Sequence, residues 1–203
     1  MVTPDQIARY MAIISAQPKQ PDIVFVDCET TGLSPYDHET IEVAAIRVDA
    51  VTLEPIDCMH CRIKPKRPVS EESLKFNNYS AKKWEDALTG GEALYHLRPL
   101  VTGAQWAGSN PSFDRKFLDA LAKQTKEPKV EPCSHRMIDI SAMVDPLIRV
   151  GLMPHSGVDA LCKYFGLPPN GRHTAKGDVE MELALYKAIR TFYIPAVLTV
   201  FEG

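Results

Sequence analysis

The spacing of apolar residues changes several times along the chain, and each change marks an element. Ile7, Tyr10, Met11 and Ile14 recur at helical spacing behind Thr3-Pro4-Asp5-Gln6, where Thr caps, Pro takes the first helical position and Gln follows three residues after the cap. Gln17-Pro18-Lys19-Gln20-Pro21 ends this stretch. An added N-terminal helix over about residues 4–16 is therefore predicted, packed outside a core of about residues 22–193. Ile23-Val24-Phe25-Val26 is an uninterrupted apolar run of strand length, as a strand buried on both faces requires. After a loop at Ser34-Pro35-Tyr36-Asp37, the run from Thr40 to Asp49 is rich in β-formers and alternates from Glu42 onward. A turn over 50–54 returns the chain as Ile56 to Ile63, which predicts an antiparallel meander beside the first strand.

The second half reads mostly as helix. Ser70-Glu71-Glu72 and Ser80-Ala81-Lys82-Lys83-Trp84 look like two helix starts separated by Asn77-Asn78. Gly90-Gly91 reads as a break before a helix from Glu92 to Val101, which Pro99 kinks or ends. Ala104 to Gly108 is a short strand, and a helix from Asn110-Pro111 buries Phe117, Leu118 and Leu121. Arg136 to Ile140 is the next strand, followed by a helix to about Val150 and another from Ser156 to Gly166. Beyond the loop Pro168-Pro169-Asn170-Gly171, a closing helix runs from about Ala175 to Tyr193 and ends at Pro195, with Val179, Leu183, Tyr186 and Ile189 facing inward. Strands first and alternation afterwards predict an α/β fold, a mixed sheet with helices on its flanks.

Composition narrows this to one domain over 1–203, since 203 residues at 45% hydrophobic content build one sizeable core. A net charge of −3 argues against coating nucleic acid through a general basic field. A local site remains open, because Lys64, Lys66, Arg67, Lys82, Lys83, Arg115, Lys116, Arg172 and Lys176 are unevenly spread. Five cysteines make no regular framework, and no N-terminal apolar run resembles a signal peptide or a membrane span, which fits a reducing cytoplasm. Cys58-Met59-His60-Cys61 has no second pair, and in a strand its cysteines face opposite sides, so it is not a metal clip.

The chemistry begins at Asp27-Cys28-Glu29-Thr30-Thr31-Gly32-Leu33, at the end of the first strand. Residues two apart on a strand share a face, so Asp27 and Glu29 point the same way and call for a cation between them. Asp114 starts a helix after the Trp106 strand, and Asp178 lies in the last helix, five positions after His173. That spacing turns about 140° on a helix, so His173 belongs on the preceding loop, with Thr174 as cap, reaching toward Asp178.

At these residues the chain resembles the DEDDh 3'-to-5' exonucleases, a family with a ribonuclease H-like fold that includes polymerase proofreading subunits and ribonuclease T. Its Asp-x-Glu-Thr-Thr-Gly motif corresponds to Asp27 to Gly32, its Asn-x-x-Phe-Asp to Asn110 to Asp114, and its His-x-Ala-x-x-Asp segment to His173 to Asp178. The motifs stand in the family's order, over roughly Ile23 to Phe192. The resemblance implies a ribonuclease H-like mixed sheet and two Mg²⁺ or Mn²⁺ ions held by Asp27, Glu29, Asp114 and Asp178. One ion would activate water and the other would stabilise the leaving oxygen. It makes His173 the general base. It also assigns Thr30 and Thr31 to the terminal 3'-hydroxyl, with Leu33 and Phe113 against bases and Asn110 in the substrate-binding set. Core packing is the other role for Phe113. Glu42 matches a position near the terminal sugar, or is a strand Glu on a solvent face. Arg172 and Lys176 flank the base and could neutralise phosphate. Where many relatives have a His before the Asn, this chain has Ser109, and Phe76-Asn77-Asn78 lacks another His, which leaves DNA against RNA open.

The implied partner is the 3' end of a single strand, with a polymerase or a second copy of the chain as protein partners and no membrane. A noncatalytic scaffold or subunit of a replication or repair complex is the rival, and an endonuclease of the same fold is a third reading. Intact carboxylates argue against the first, and the end-binding segment Thr30-Thr31 against the second.

Overall fold

The structure, a computed structural model, describes residues 4–15, 18–69, 74, 79–154, 157–168 and 173–201. Its centre is β1 (Ile23–Thr30), third in a five-stranded sheet. On one side β1 runs antiparallel to β2 (Thr40–Val48), with Phe25 opposite Ile46 and Glu29 opposite Glu42; β2 in turn pairs antiparallel with the edge strand β3 (Pro55–Arg62). On the other side lie β4 (Gln105–Gly108) and β5 (Ile138–Asp139), both parallel. The sheet is therefore mixed, with the predicted meander at one edge.

The alternation of β1 builds two cores. Val24, Val26 and Cys28 project to one face, under α2 (Gly90–Val101) and α3 (Pro111–Thr125), and pack with Leu94, Leu97, Trp106 and Leu118. Ile23 and Phe25 project to the other, against Val179, Leu183, Leu185 and Ile189 of the last helix and Leu161 of α6 (Val158–Tyr164). Asp27 and Glu29 continue this second face past the apolar residues, so the fold sets two carboxylates at the rim of a core. The N-terminal helix α1 (Pro4–Ser15) packs on that last helix, and the side chains of Ile7, Tyr10 and Ile14 lie outside the described residues.

Several elements depart from the sequence expectation. Ser70-Glu71-Glu72 lies outside the described residues, and 81–86 form turns rather than a helix. There Leu88 is drawn into a bridge with Ile63, while the Trp84 indole donates to the Ile41 carbonyl at 2.7 Å; both contacts pin the segment to the sheet end before helix can propagate. Gly90 and Gly91 open α2 instead of interrupting the chain. Thr89 and Glu92 form a reciprocal capping box, and a Cβ on Gly90 would stand 2.6 Å from Leu121 Cδ1, so the glycine serves close approach of α2 to α3.

Pro99 lies within α2, whose last carbonyls are met by a cation. The Arg47 guanidinium donates to the carbonyls of Pro99, Leu100 and Thr102 at 3.0–3.3 Å and pairs with Asp22 at 2.8 Å. Only Ile138 and Asp139 of the fifth predicted strand are strand, because the Asp139 carboxylate accepts from Ser141 and Ala142 N–H and starts α4 (Ile140–Met143), followed by α5 (Asp145–Arg149). The final helix, α7 (Ala175–Phe201), continues through Pro195. One proline costs a hydrogen bond and a steric adjustment, which a helix already nucleated over five turns sustains.

The capping box gives a direct test of the α2 boundary. Thr89→Ala removes the bond its hydroxyl accepts from Glu92 N–H and the one it donates to the Glu92 carboxylate, keeps the bond from its own N–H, and is expected to lower unfolding free energy by about 1 kcal/mol in urea titrations. A loss within error of zero would show that the box does not hold the helix start.

Candidate active site

β1 outruns its parallel neighbour. Its pairing with β4 ends at Phe25 opposite Ala107, and β4 turns away after Gly108. Cys28 therefore presents an N–H beyond the end of β4, and Asp114 of α3 takes it, with Oδ1 at 3.0 Å. This bond draws the buried Asp114 to the end of β1 where Asp27 and Glu29 stand.

Asp178 arrives from the other face. Thr174 caps α7, its hydroxyl accepting from Gly177 N–H at 3.1 Å, and the backbone N–H of His173 donates to Asp178 Oδ2 at 3.0 Å. Carboxylate oxygens of Asp27, Glu29 and Asp178 come within 4.8 Å of one another. The tie between His173 and Asp178 is made by the histidine backbone; its side chain is exposed, on a residue with φ of 65°.

Charge is concentrated here. Burial, then the charges of Asp114, Glu182, Asp178 and Glu29, hold the Asp27 carboxyl well above the ordinary carboxylate range, although part of the residue reaches solvent. Burial pushes Asp114 up to about 8, against the lowering bond from Cys28 N–H. Burial, then the charges of Asp114 and Asp27, also raise the Cys28 thiol, which makes it an inert core group at neutral pH.

Glu182 is the carboxylate that sequence reasoning missed. It lies one turn beyond Asp178, is 4% exposed, and accepts the Ser109 N–H at 2.6 Å with Oε1. Its Oε2 would stand 3.5 Å from a Cβ on Gly108, so the glycine leaves room for it. The available signal was its position four residues after Asp178, on a helix stripe otherwise occupied by Val179, Leu183 and Tyr186.

The other predicted residues surround this cluster differently. Thr30 donates its hydroxyl to the Gly32 carbonyl at 2.7 Å, and Thr31, buried, accepts the Glu39 N–H at 3.0 Å, so both hydroxyls brace the β1–β2 loop. Glu42 is buried rather than solvent-facing, 2.6 Å from the His60 imidazole. Asn110 is the exposed left-handed residue at which β4 turns into α3. Phe113 has two surroundings: its ring packs 4.8 Å from Phe117, and it lines an open cleft with Leu33, which is 85% exposed. Lys176 stands 3.9 Å from Glu180, and Arg172 lies outside the described residues.

An all-oxygen donor set whose charges repel one another suits a hard divalent cation, which would remove the penalty that raises Asp27 and Asp114. Cys58 and Cys61, facing opposite sides of β3, form no such group, and none of the five cysteines is in a disulfide. Among the described residues no helix is long and apolar enough to cross a membrane.

Comparison with known proteins gives likenesses of three kinds, to a family, to single proteins and to solved structures. The profile of the exonuclease family, RNase_T, matches residues 24–186. A PolC-type DNA polymerase III of Thermotoga petrophila is 26% identical over 163 residues, 80% of this chain and 11% of the polymerase. The chain thus spans about a tenth of the length of that relative. An oligoribonuclease of Tropheryma whipplei is 28% identical over 190 residues, covering 84% of this chain and 94% of its own. Among solved structures, E. coli exonuclease I in complex with a dT13 oligonucleotide shares the fold, with a TM-score of 0.74 and 18% identity over 90% of this chain and 44% of that one.

The raised carboxyls set the sign of a pH dependence in chelator. Unfolded, Asp27 and Asp114 would titrate near 4, so folded Asp114 holds an extra proton between about pH 4 and about 8, and Asp27, raised in the same direction, adds to it. Their stabilising contribution is full below pH 4 and is lost as pH rises toward 8. Thermal melts in chelator should therefore fall from pH 5 to pH 8, and Asp27→Asn should flatten the fall. A melt that rises over this interval in the parent would contradict the arrangement.

Proposed function

The chain belongs to the RNase_T exonuclease family, and on that premise we propose that it is a divalent-metal-dependent 3'-to-5' exonuclease that releases nucleoside 5'-monophosphates from single-stranded ends. The observation that carries the proposal is the meeting of Asp27, Glu29 and Asp178 oxygens beside Asp114, from three elements far apart in sequence. A scaffold would have no use for carboxylates that burial, and after it their mutual repulsion, raises at two positions.

Asp27, Glu29, Asp114 and Asp178 would hold two Mg²⁺ or Mn²⁺ ions. When bound, such ions lower the pKa of water and offset the charge that develops on phosphate oxygens. The chain's own residues do the rest. His173, exposed at the start of α7, accepts a proton from the attacking water, whose oxygen forms the new bond to phosphorus while the bond to the 3' oxygen of the preceding nucleotide breaks. The bond from its backbone to Asp178 fixes the histidine relative to one ligand. The loop braced by Thr30 and Thr31, and the Leu33 and Phe113 faces, receive the terminal nucleotide. Glu42, held 2.6 Å from the His60 imidazole, would meet the terminal sugar.

The five cysteines, none in a disulfide, support a reducing compartment, the cytoplasm. The polymerase III likeness supports a polymerase assembly as a partner, with self-association the other arrangement that size-exclusion of the pure chain would reveal.

End-labelled DNA and RNA oligonucleotides test the activity. With Mg²⁺ or Mn²⁺ the 3'-hydroxyl forms should shorten stepwise, a 3'-phosphate should slow the first cut strongly, and a circular strand should survive; cleavage of the circle would overturn the exonuclease. Asp27→Asn should abolish turnover with the fold intact by circular dichroism. His173→Ala should lower the single-turnover rate by roughly 10² to 10⁴ while oligonucleotide affinity changes little. An unchanged rate would remove His173 as the base.

A further inference from the structure

Beyond the terminal-nucleotide contacts, one surface leads away from the carboxylates with a defined shape. A cleft of about 1120 Å³ opens between the β1–β2 loop and one face of α3. Leu33, Asn110 and Phe113 form its catalytic end, and Lys123, Gln124 and Lys129 its far end. From Ser112 to Gln124 is twelve residues, so the cleft follows α3 for about 18 Å at 1.5 Å per residue, longer than one nucleotide needs.

Its two walls differ chemically. The loop wall is apolar: Leu33 is 85% and Tyr36 88% exposed, both without a core to bury them. Yet that loop is braced. Ser34 Oγ donates to Asp37 at 2.8 Å, His38 N–H returns to the Ser34 carbonyl at 2.9 Å, and the Arg67 guanidinium donates to the Tyr36 and Asp37 carbonyls. Arg67 is in turn fixed by its own N–H, which donates to the buried Glu39 carboxylate at 2.8 Å. An exposed aromatic ring on a braced loop is a stacking platform already ordered before anything binds.

The helix wall is cationic. Four basic residues line the cleft against two carboxylates, in a chain of net charge −3. Those carboxylates are engaged: Asp119 meets Lys129 at 2.9 Å, and Glu127 meets Arg98 at 3.5 Å. Lys116 and Lys123 have no carboxylate within ion-pair distance among the described residues, and stand two helical turns apart on the same face.

We propose that this cleft seats the nucleotides on the 5' side of the scissile bond, with Tyr36 stacking on a base and Lys116 and Lys123 neutralising successive backbone phosphates. The occupant is a single-stranded polynucleotide: an apolar shelf facing a row of unneutralised ammonium groups matches bases on one side and phosphates on the other. The inference rests on the exonuclease function proposed above and adds to it a preference for chains of several nucleotides over dinucleotides.

The test compares two substrates in the full chain. Hexamers of DNA and of RNA fill the cleft; the p-nitrophenyl ester of thymidine 5'-monophosphate reaches only the catalytic end. Tyr36→Ala and the double variant Lys116→Gln/Lys123→Gln should each lower the hexamer-to-ester ratio of kcat/KM about tenfold, through KM. In an Asp27→Asn background, anisotropy of a labelled hexamer should show the slope of log affinity against log salt reduced by about 1.4 in the double lysine variant, about 0.7 per lost phosphate contact on a single strand. An active protein whose ratio and salt slope do not respond to these substitutions would overturn the cleft and leave the exonuclease standing. A protein inactive on ester and hexamer, yet binding the hexamer with the predicted salt slope, would overturn the exonuclease and leave the cleft. Equal losses on DNA and RNA would assign recognition to the shared backbone and bases, as proposed; a loss confined to one of the two would overturn it.

Discussion

Carboxylates gathered without a counter-charge set the terms for everything around them. Asp27 and Glu29 come from β1, Asp114 from α3, Asp178 and Glu182 from α7, and each raises the cost of the others. Such a group persists only because the elements that carry it are fastened by apolar burial on both faces of the sheet. Val24, Val26 and Cys28 hold one face while Ile23 and Phe25 hold the other, so a slip of one residue in β1 would exchange core and cluster at once. The apolar register of the central strand thereby fixes the direction of the charged pair.

Loop order has the same origin. Thr31 and Glu39 exchange hydrogen bonds across the base of the β1–β2 loop, Glu39 accepts from Lys66 and Arg67 N–H, and Arg67 reaches back to the loop tip. Gly32 completes the brace, since a Cβ there would meet the His38 ring at 2.5 Å. A rigid loop on one side and a helix face on the other make a cleft whose shape does not wait for a ligand.

Much of this was legible in the sequence wherever one local pattern decided the outcome. The apolar run of β1, the alternation of β2 and the inner stripe of α7 are each set by burial on a known period, and their positions follow. The motif residues Asp27, Glu29, Asp114 and Asp178 were legible for the same reason, because each sits at the end of such an element. What escaped depends on partners distant in the chain. Gly90 reads as a breaker until Leu121 is placed against it, and Ser80 to Trp84 reads as helix until Ile41 and Ile63 claim its end. Glu182 is one more surface glutamate until Ser109 is brought to it by the turn after β4. The loop closure that Thr31 makes with Glu39, eight residues on, is likewise invisible in the motif that contains it.

The backbone of His173 carries a consequence of another kind. Its φ of 65° lies in the left-handed region, where a residue with a Cβ is disfavoured by roughly 1 kcal/mol and glycine is not. Folding alone would therefore favour glycine at this place, and the strain of carrying a side chain there is set against the bond that the same residue's N–H makes to Asp178.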